Sequence, residues 1–262
     1  MSSSEEFALY YESGSTPCMS MMLALEEKGI SYTKTEVDTD KEKDAAMLEE
    51  VGDRDEPPLL LHGENVLFDE VVPACLYLEK ISDKNRLIPE GAVGRAHVIQ
   101  RMLQAQKLGI GDTSIDEQWD MDEEANEDEL EAIEDPDEFD EQEEKYDKMD
   151  LVKEIEIWEG YLKEYGKGSY IAGPEFTAAD CLFIPVLIYL VTNQLDLTKK
   201  YPMLQEYYTR VMERPAVKEV QQYHQMDAEG IFKNMPEEGV LDTLGSKVKG
   251  LFGKLVKKKK SK

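Results

Sequence analysis

Cysteine is scarce in this chain, with three residues in 262, Cys18, Cys75 and Cys181. Their spacing offers no pairs. That excludes the disulfide framework that staples small secreted domains and leaves a reducing, cytoplasmic setting as the expectation. Long apolar runs are also missing. The longest, Cys181 to Val191, falls far short of the roughly 18–20 residues that cross a bilayer, and neither end reads as a secretory leader. Basic residues are few: 30 Lys and Arg stand against 57 Asp and Glu, a net charge of −27 that opposes nucleic acid as a partner.

The charge that is present is unevenly placed. Between Asp112 and Asp147 there are 20 acidic residues and one Lys, whereas Thr243 to Lys262 holds eight Lys and no acid. Both stretches read as additions to a moderately acidic body.

The most informative stretch opens the chain. Phe7-Ala8-Leu9-Tyr10-Tyr11 is apolar and aromatic, as a buried strand should be, and Ser13-Gly14-Ser15 is turn chemistry. Pro17 suits the first turn of a helix, where its missing N–H costs nothing. Cys18, Met21, Met22 and Leu25 recur at helical spacing, and Gly29 stands where a left-handed cap belongs. The turn therefore presents Ser15 and Cys18 at a helix N-terminus, where unpaired amides and the dipole favour an anion such as a thiolate. Further on, Thr177 and Asp180 have capping-box spacing, with Phe176 and Cys181 at the staple positions and a buried helix predicted to follow despite Pro185. On that reading Asp180 is a folding residue.

Ser-Gly-Ser-Thr-Pro-Cys followed by Leu-Ala-Leu-Glu-Glu-Lys-Gly-Ile resembles the first βα unit of the cytosolic glutathione transferases. The likeness is greatest to the serine-type branch, the rho or A-like enzymes of fish and marine invertebrates. Leu59-Leu60-Leu61-His62-Gly63 with Asn65-Val66-Leu67 resembles the family's β-hairpin, and Ala74-Cys75-Leu76-Tyr77-Leu78-Glu79 its third helix. Leu87-Ile88-Pro89 resembles the start of the interdomain linker, and Tyr170 to Asp180 the diagnostic segment of the helical domain. The resemblance covers about 5–110 and 150–225. It implies an α/β thioredoxin-like N-terminal domain over 5–82 and an all-helical domain over 91–230; the charge pattern, outside the resemblance, adds an acidic insertion at 110–148 that interrupts the helical domain and a basic tail at 236–262.

It also implies a site. In serine-type transferases a hydroxyl after the first strand donates a hydrogen bond to the glutathione sulfur and stabilises the thiolate. By position Ser15 is that residue, with Ser13 and Cys18 as fallbacks; Ser15-Thr16-Pro17-Cys18 occupies the turn of a thioredoxin-like Cys-x-x-Cys, and Cys18 is expected packed and resting. Pro58 stands at the family's cis-proline, but the residue before it is Pro57, which has no N–H to offer the tripeptide. Asp69-Glu70-Val71 stands where the family has an acidic residue and a serine for the γ-glutamyl unit, so the hydroxyl is gone, and Met19-Ser20-Met21 replaces the usual arginine stretch. The implied function is conjugation of glutathione, as co-substrate, to a hydrophobic electrophile in a pocket near Met102, Gln106 and Trp119. A homodimer is implied as well. A second reading stands beside it: a transferase fold with eroded catalysis that binds or scaffolds through its acidic loop and basic tail.

Within the insertion, Asp120, Asp122, Glu124, Asn126, Asp128 and Glu131 have the side-chain spacing of an EF-hand loop, but Ala125 stands where that loop needs glycine, and no metal is expected. Such a match is cheap in so acidic a segment, and a solvated acidic spacer is the leading expectation. In the tail, Val240, Leu241, Leu244, Val248, Leu251, Phe252, Leu255 and Val256 follow a spacing of three and four between lysines. An amphipathic helix on an anionic membrane surface, a partner for the acidic segment and a disordered solubility tail all stay open.

Overall fold

The computed structural model describes residues 6–39, 41–52, 56–63, 66–110, 152–192 and 195–223; the acidic insertion and the lysine tail lie outside them. The described residues all fall in one compact unit.

The chain begins with the strand its apolar run predicts, β1 (Phe7–Tyr11), followed by α1 (Thr16–Lys28) and a parallel return strand β2 (Tyr32–Glu36). After α2 (Glu42–Gly52) comes an antiparallel hairpin of β3 (Leu59–His62) and β4 (Val66–Phe68), turned at Gly63 with φ +62°. The sheet order is β2-β1-β3-β4, with β1 parallel to β2 and antiparallel to β3. Alternation sorts the strands between two layers. Phe7, Leu9, Tyr11 and Leu60 face α1 and α3 (Val71–Ile81), whereas Tyr10, Leu59 and Leu61 pack with Val37, Met47 and Leu48 on the α2 side. At the end of α2 a Cβ on Gly52 would meet Leu59 Cδ1 at 2.9 Å, so helix and strand approach to glycine distance.

Helix α1 is buried on nearly every side from Cys18 to Leu25, because the sheet lies on one flank and the helical part on the other. Its ends follow the local code: Ser15 is the N-cap, Pro17 lies in the first turn, and Gly29 closes it at φ +64°. The hydrogen bonds of Gly29 N–H to Glu26 O and of Ile30 N–H to Leu25 O satisfy carbonyls that the helix end would otherwise leave bare.

The helical part comprises α4 (Ala92–Ile110), α5 (152–165), α6 (Ala178–Thr192), α7 (Leu197–Lys200), α8 (Pro202–Val211) and α9 (Pro215–Val220), ending in a 3₁₀ turn, Gln221–Tyr223. Helix α6 runs unbroken through Pro185 and is buried almost throughout, packing on α1 and α4. Asp180 in its first turn is fully buried and accepts four hydrogen bonds. Thr177 N–H and Oγ1 reach one oxygen at 2.8 and 3.0 Å, and Ile171 N–H and the Tyr207 hydroxyl reach the other at 3.2 and 2.9 Å. Phe176, at the staple position, packs against the core cluster that holds Cys181; it also meets the Tyr170 ring edge-on, with Arg214 3.8 Å above its own ring. A second cap crosses helices: the Glu159 carboxylate on α5 accepts from Met203 N–H at 3.2 Å and Leu204 N–H at 2.8 Å, at the N-terminus of α8.

The sheet and helical parts are tied by Ala178 N–H to Leu87 O at 2.9 Å and by the two-pronged pairing of Arg214 with Glu27 at 2.7 and 2.6 Å.

Candidate functional site

Strand register brings three loops to one end of the sheet. The last β1–β3 pair is Tyr10 with Leu59, so the chain leaves β1 at Glu12 beside the point where Pro57-Pro58 enters β3. The first β3–β4 pair, Leu60 with Phe68, carries the following residues Asp69 and Glu70 to the same edge. The turn before α1, the Pro57-Pro58 peptide and the start of α3 therefore share one edge, and the N–H ends of two helices converge there.

Ser15 is half-buried at that edge. Its Oγ accepts the Cys18 N–H at 3.5 Å, a bond that uses a lone pair and not the hydroxyl proton, for which the Cys18 sulfur is one nearby acceptor. Ser13 is differently placed, because its hydroxyl donates to Glu36 Oε1 at 2.6 Å. Cys18 is fully buried beneath the turn, with Sγ 3.5 Å from the Glu12 N–H. Burial pushes its thiol up to about 11, against the smaller opposing effects of the Ser15 and Glu12 hydrogen bonds. The thiolate that the helix N-terminus favours is thus outweighed at Cys18 by desolvation.

The Pro57-Pro58 bond is cis, with Pro58 buried and Pro57 half-buried. At the start of α3, Glu70 is the N-cap with no side-chain cap bond, and its Oε2 accepts from Gln106 Nε2 of α4 at 2.8 Å. Asp69 is half-buried beside it, and Val71 is buried.

Met102 does not line a pocket. With Val98 and Ala105 it forms an apolar stripe at helical spacing that is buried in the core, which overturns its expected place on an acceptor surface. Trp119 and the cation candidates Asp120, Asp122, Glu124, Asp128 and Glu131 lie outside the described residues, among which no metal-binding cluster occurs. Also among the described residues, no helix is long and apolar enough to cross a membrane.

Residues 131–224 match the sequence profile described as "Glutathione S-transferase, C-terminal domain". Over 222 residues the chain is 32% identical to a protein named Glutathione S-transferase A from Pleuronectes platessa, covering 82% of this chain and 90% of that one. The chain belongs to the glutathione S-transferase family. Its fold is similar to that of a glutathione S-transferase from the Antarctic clam Laternula elliptica, with a TM-score of 0.67 at 29% identity over 87% of this chain and 99% of that one. A glutathione transferase homologue from Sulfitobacter with bound glutathione shares the fold at a TM-score of 0.59. It is 16% identical, over 83% of this chain and 97% of the other.

Two features of the candidate site carry no local signal. Gly14 N–H donates to the carbonyl of Tyr223 at 3.2 Å, from the last described turn. Lys34 stands with its ammonium 4.9 Å from the Tyr32 ring centroid and 4.5 Å from that of Tyr223. Both bring Tyr223 onto elements far earlier in the sequence, and nothing in residue spacing announces that.

Proposed function

We propose that this protein conjugates glutathione to hydrophobic electrophiles, with Ser15 as the residue that stabilises the thiolate. The placement of Ser15 carries the reading: it is an N-cap whose hydroxyl oxygen accepts one hydrogen bond that does not use its proton, half-exposed beside the cis Pro57-Pro58 peptide. A hydroxyl aimed at the sulfur stabilises its anionic form, and the thiol proton passes to solvent. The sulfur lone pair then forms the new carbon–sulfur bond, while the electrophile's leaving group departs or its double bond takes up the electrons.

The binding frame is thinner than the family's pattern. Glu70 is suited to the γ-glutamyl ammonium, and the first amides of α3 to its carboxylate, without a hydroxyl at Val71. The Pro57 carbonyl accepts from the cysteinyl unit, but no N–H answers. Each missing bond to a charged or buried group weakens binding by about 1.5–3 kcal/mol. Two together place glutathione roughly 10²–10⁴-fold above a fully furnished site in Kd. Asp69 and Glu70 add negative charge beside the substrate's carboxylates.

The serine-type assignment, the site residues, the boundaries 5–82 and 91–230, a homodimer and a cytoplasmic location belong to the same proposal. So do the acidic insertion at 110–148 and a basic tail at 236–262 that seeks an anionic surface. Calorimetry of glutathione with the full chain and with Ser15→Ala, alongside the ultraviolet absorbance of the thiolate, tests it. Micromolar-to-millimolar binding with a thiolate band lost in the variant is expected. A chain that binds no glutathione would return the function to the eroded-transferase reading.

A further inference from the structure

The turn that carries Ser15 is held from several sides. Ser13 Oγ ties it to Glu36 at the end of β2, at 2.6 Å. Ser15 N–H reaches back to Glu12 O at 3.4 Å, closing the turn on itself. A further hold comes from Tyr223, near the opposite end of the described chain, whose carbonyl accepts the Gly14 N–H at 3.2 Å. Gly14 lies at φ +89°, a left-handed conformation that glycine adopts freely but offers no side chain to secure. An N–H bond to a fixed acceptor supplies the missing restraint.

Tyr223 is itself fixed at its ring. It stands edge-on to Tyr11, with centroids 5.4 Å apart and planes at 83°. Its hydroxyl accepts from Lys34 Nζ at 3.3 Å, and that ammonium also lies 4.5 Å from the ring centroid. Glu26 at 3.3 Å and Glu219 at 3.7 Å balance the cation. The Lys34 cluster is thus directed at the Tyr223 ring and at β2.

We infer that Tyr223 is a positioning residue for the thiol-activating turn: ring contacts with Tyr11 and Lys34 anchor its carbonyl, which fixes Gly14 and so aims the Ser15 hydroxyl at the sulfur. This rests on the proposed role of Ser15. Reacting groups lose on the order of 10²-fold in rate for a misplacement near 1 Å, so a loosened turn is felt in chemistry more than in binding. Tyr223 touches no substrate in this account and acts only through Gly14.

The test uses the full chain with Tyr223→Ala, Tyr223→Phe and Lys34→Met. Tyr223→Ala keeps the carbonyl but removes its anchors, Tyr223→Phe keeps the ring, and Lys34→Met loosens one anchor without truncating the tyrosine. Amide hydrogen exchange over residues 12–18 is expected to quicken several-fold in Tyr223→Ala, with Lys34→Met intermediate and Tyr223→Phe close to the parent. The thiolate band of bound glutathione should titrate at higher pH in Tyr223→Ala. The kcat for a general aryl electrophile should fall about tenfold or more, while KM for glutathione moves less than about threefold. Unchanged exchange and an unchanged thiolate titration in Tyr223→Ala, whatever its melting temperature, overturn the inference. A parent chain with no thiolate band at saturating glutathione overturns the role of Ser15 and, with it, the catalytic purpose of the latch. A band that titrates alike in parent and variant overturns the latch alone.

Discussion

Lys28 Nζ lies 2.7 Å from Glu79 Oε1, and the two side chains are 1% and 3% exposed. The pair joins the last turn of α1 to the last turn of α3. It also reaches the connection into the helical part, because the same Glu79 oxygen accepts the Leu87 N–H at 2.9 Å and Lys28 donates to Lys84 O at 3.3 Å. Glu79 Oε2 has no partner among the described residues. A buried ion pair with one orphaned oxygen fixes geometry more than it adds net stability, since desolvation offsets most of the attraction.

The two single deletions should therefore cost much more than the double replacement. Lys28→Met leaves a buried, unpaired carboxylate and is expected to destabilise by about 3–5 kcal/mol. Lys28→Met with Glu79→Leu removes both charges and should recover a large part of that, the Leu87 N–H remaining unsatisfied at about 1–3 kcal/mol. Urea melts of the four members of the cycle check this. Additive costs would show that the pair does not act as a unit.

Asp180 sets a pH dependence with an unusual sign. Burial raises its carboxyl from 3.8 to about 6, overriding the hydrogen bonds from Thr177, Ile171 and Tyr207 that pull the other way. A carboxyl raised in the folded state favours folding most when protonated. Its contribution is complete below about pH 4 and is lost as pH rises through about 6, whereas a salt-bridged aspartate behaves in the opposite way. Asp180→Asn does not titrate and turns an amide NH₂ towards donors, so it should be less stable at every pH. The gap between parent and variant is expected to narrow from pH 4 to pH 7, by an amount on the order of 2 kcal/mol. Denaturant melts at both ends of that range provide the check, and a gap that widens with pH would refute the assignment.

The three thiols should be silent in the native protein. Cys18 and Cys75 are pushed up to about 11 and about 12 by burial, and Cys181 is raised well above its ordinary value for the same reason. All three are buried. Since the thiolate is the reactive form, an aromatic disulfide reagent at pH 8 should titrate none before unfolding and three in denaturant. Rapid native labelling at Cys18 would revive it as the second chemistry of the turn.

What was readable in the sequence was local. Ser15, Pro17 and Gly29 write the ends of α1, Gly63 writes the hairpin, and Thr177 with Asp180 writes the start of α6, because caps and turns are chemistry between near neighbours. The partners that complete these motifs were not readable. Tyr207 and Ile171 on Asp180, Glu159 on the α8 amides and Tyr223 on Gly14 all arrive from distant parts of the chain. Strand β2 carries little sequence signal for another reason: Tyr-Thr-Lys-Thr-Glu is an edge strand with three exposed residues and no apolar run. Met102 misled because a stripe of Val98, Met102 and Ala105 looks the same whether it faces a pocket or a core.

Ser13 and Ser15 are separated by a single glycine, yet their hydroxyls have different fates. Ser13 donates its proton to Glu36, whereas Ser15 accepts from Cys18 N–H through a bond that does not use its proton. If a hydroxyl donor stabilises the thiolate, Ser15→Ala should lower kcat/KM for glutathione conjugation by roughly 10²-fold, the scale of one lost donor to a developing anion. Ser13→Ala breaks an exposed hydrogen bond and should cost less than about 1 kcal/mol of stability. It should leave the thiolate titration where it was, with at most a modest loss through a looser turn. The pH profile of kcat/KM decides between them: its acidic limb should shift upward for Ser15→Ala and stay in place for Ser13→Ala. The reverse pattern would move the catalytic role to Ser13, and would require Glu36 to release that hydroxyl when glutathione binds.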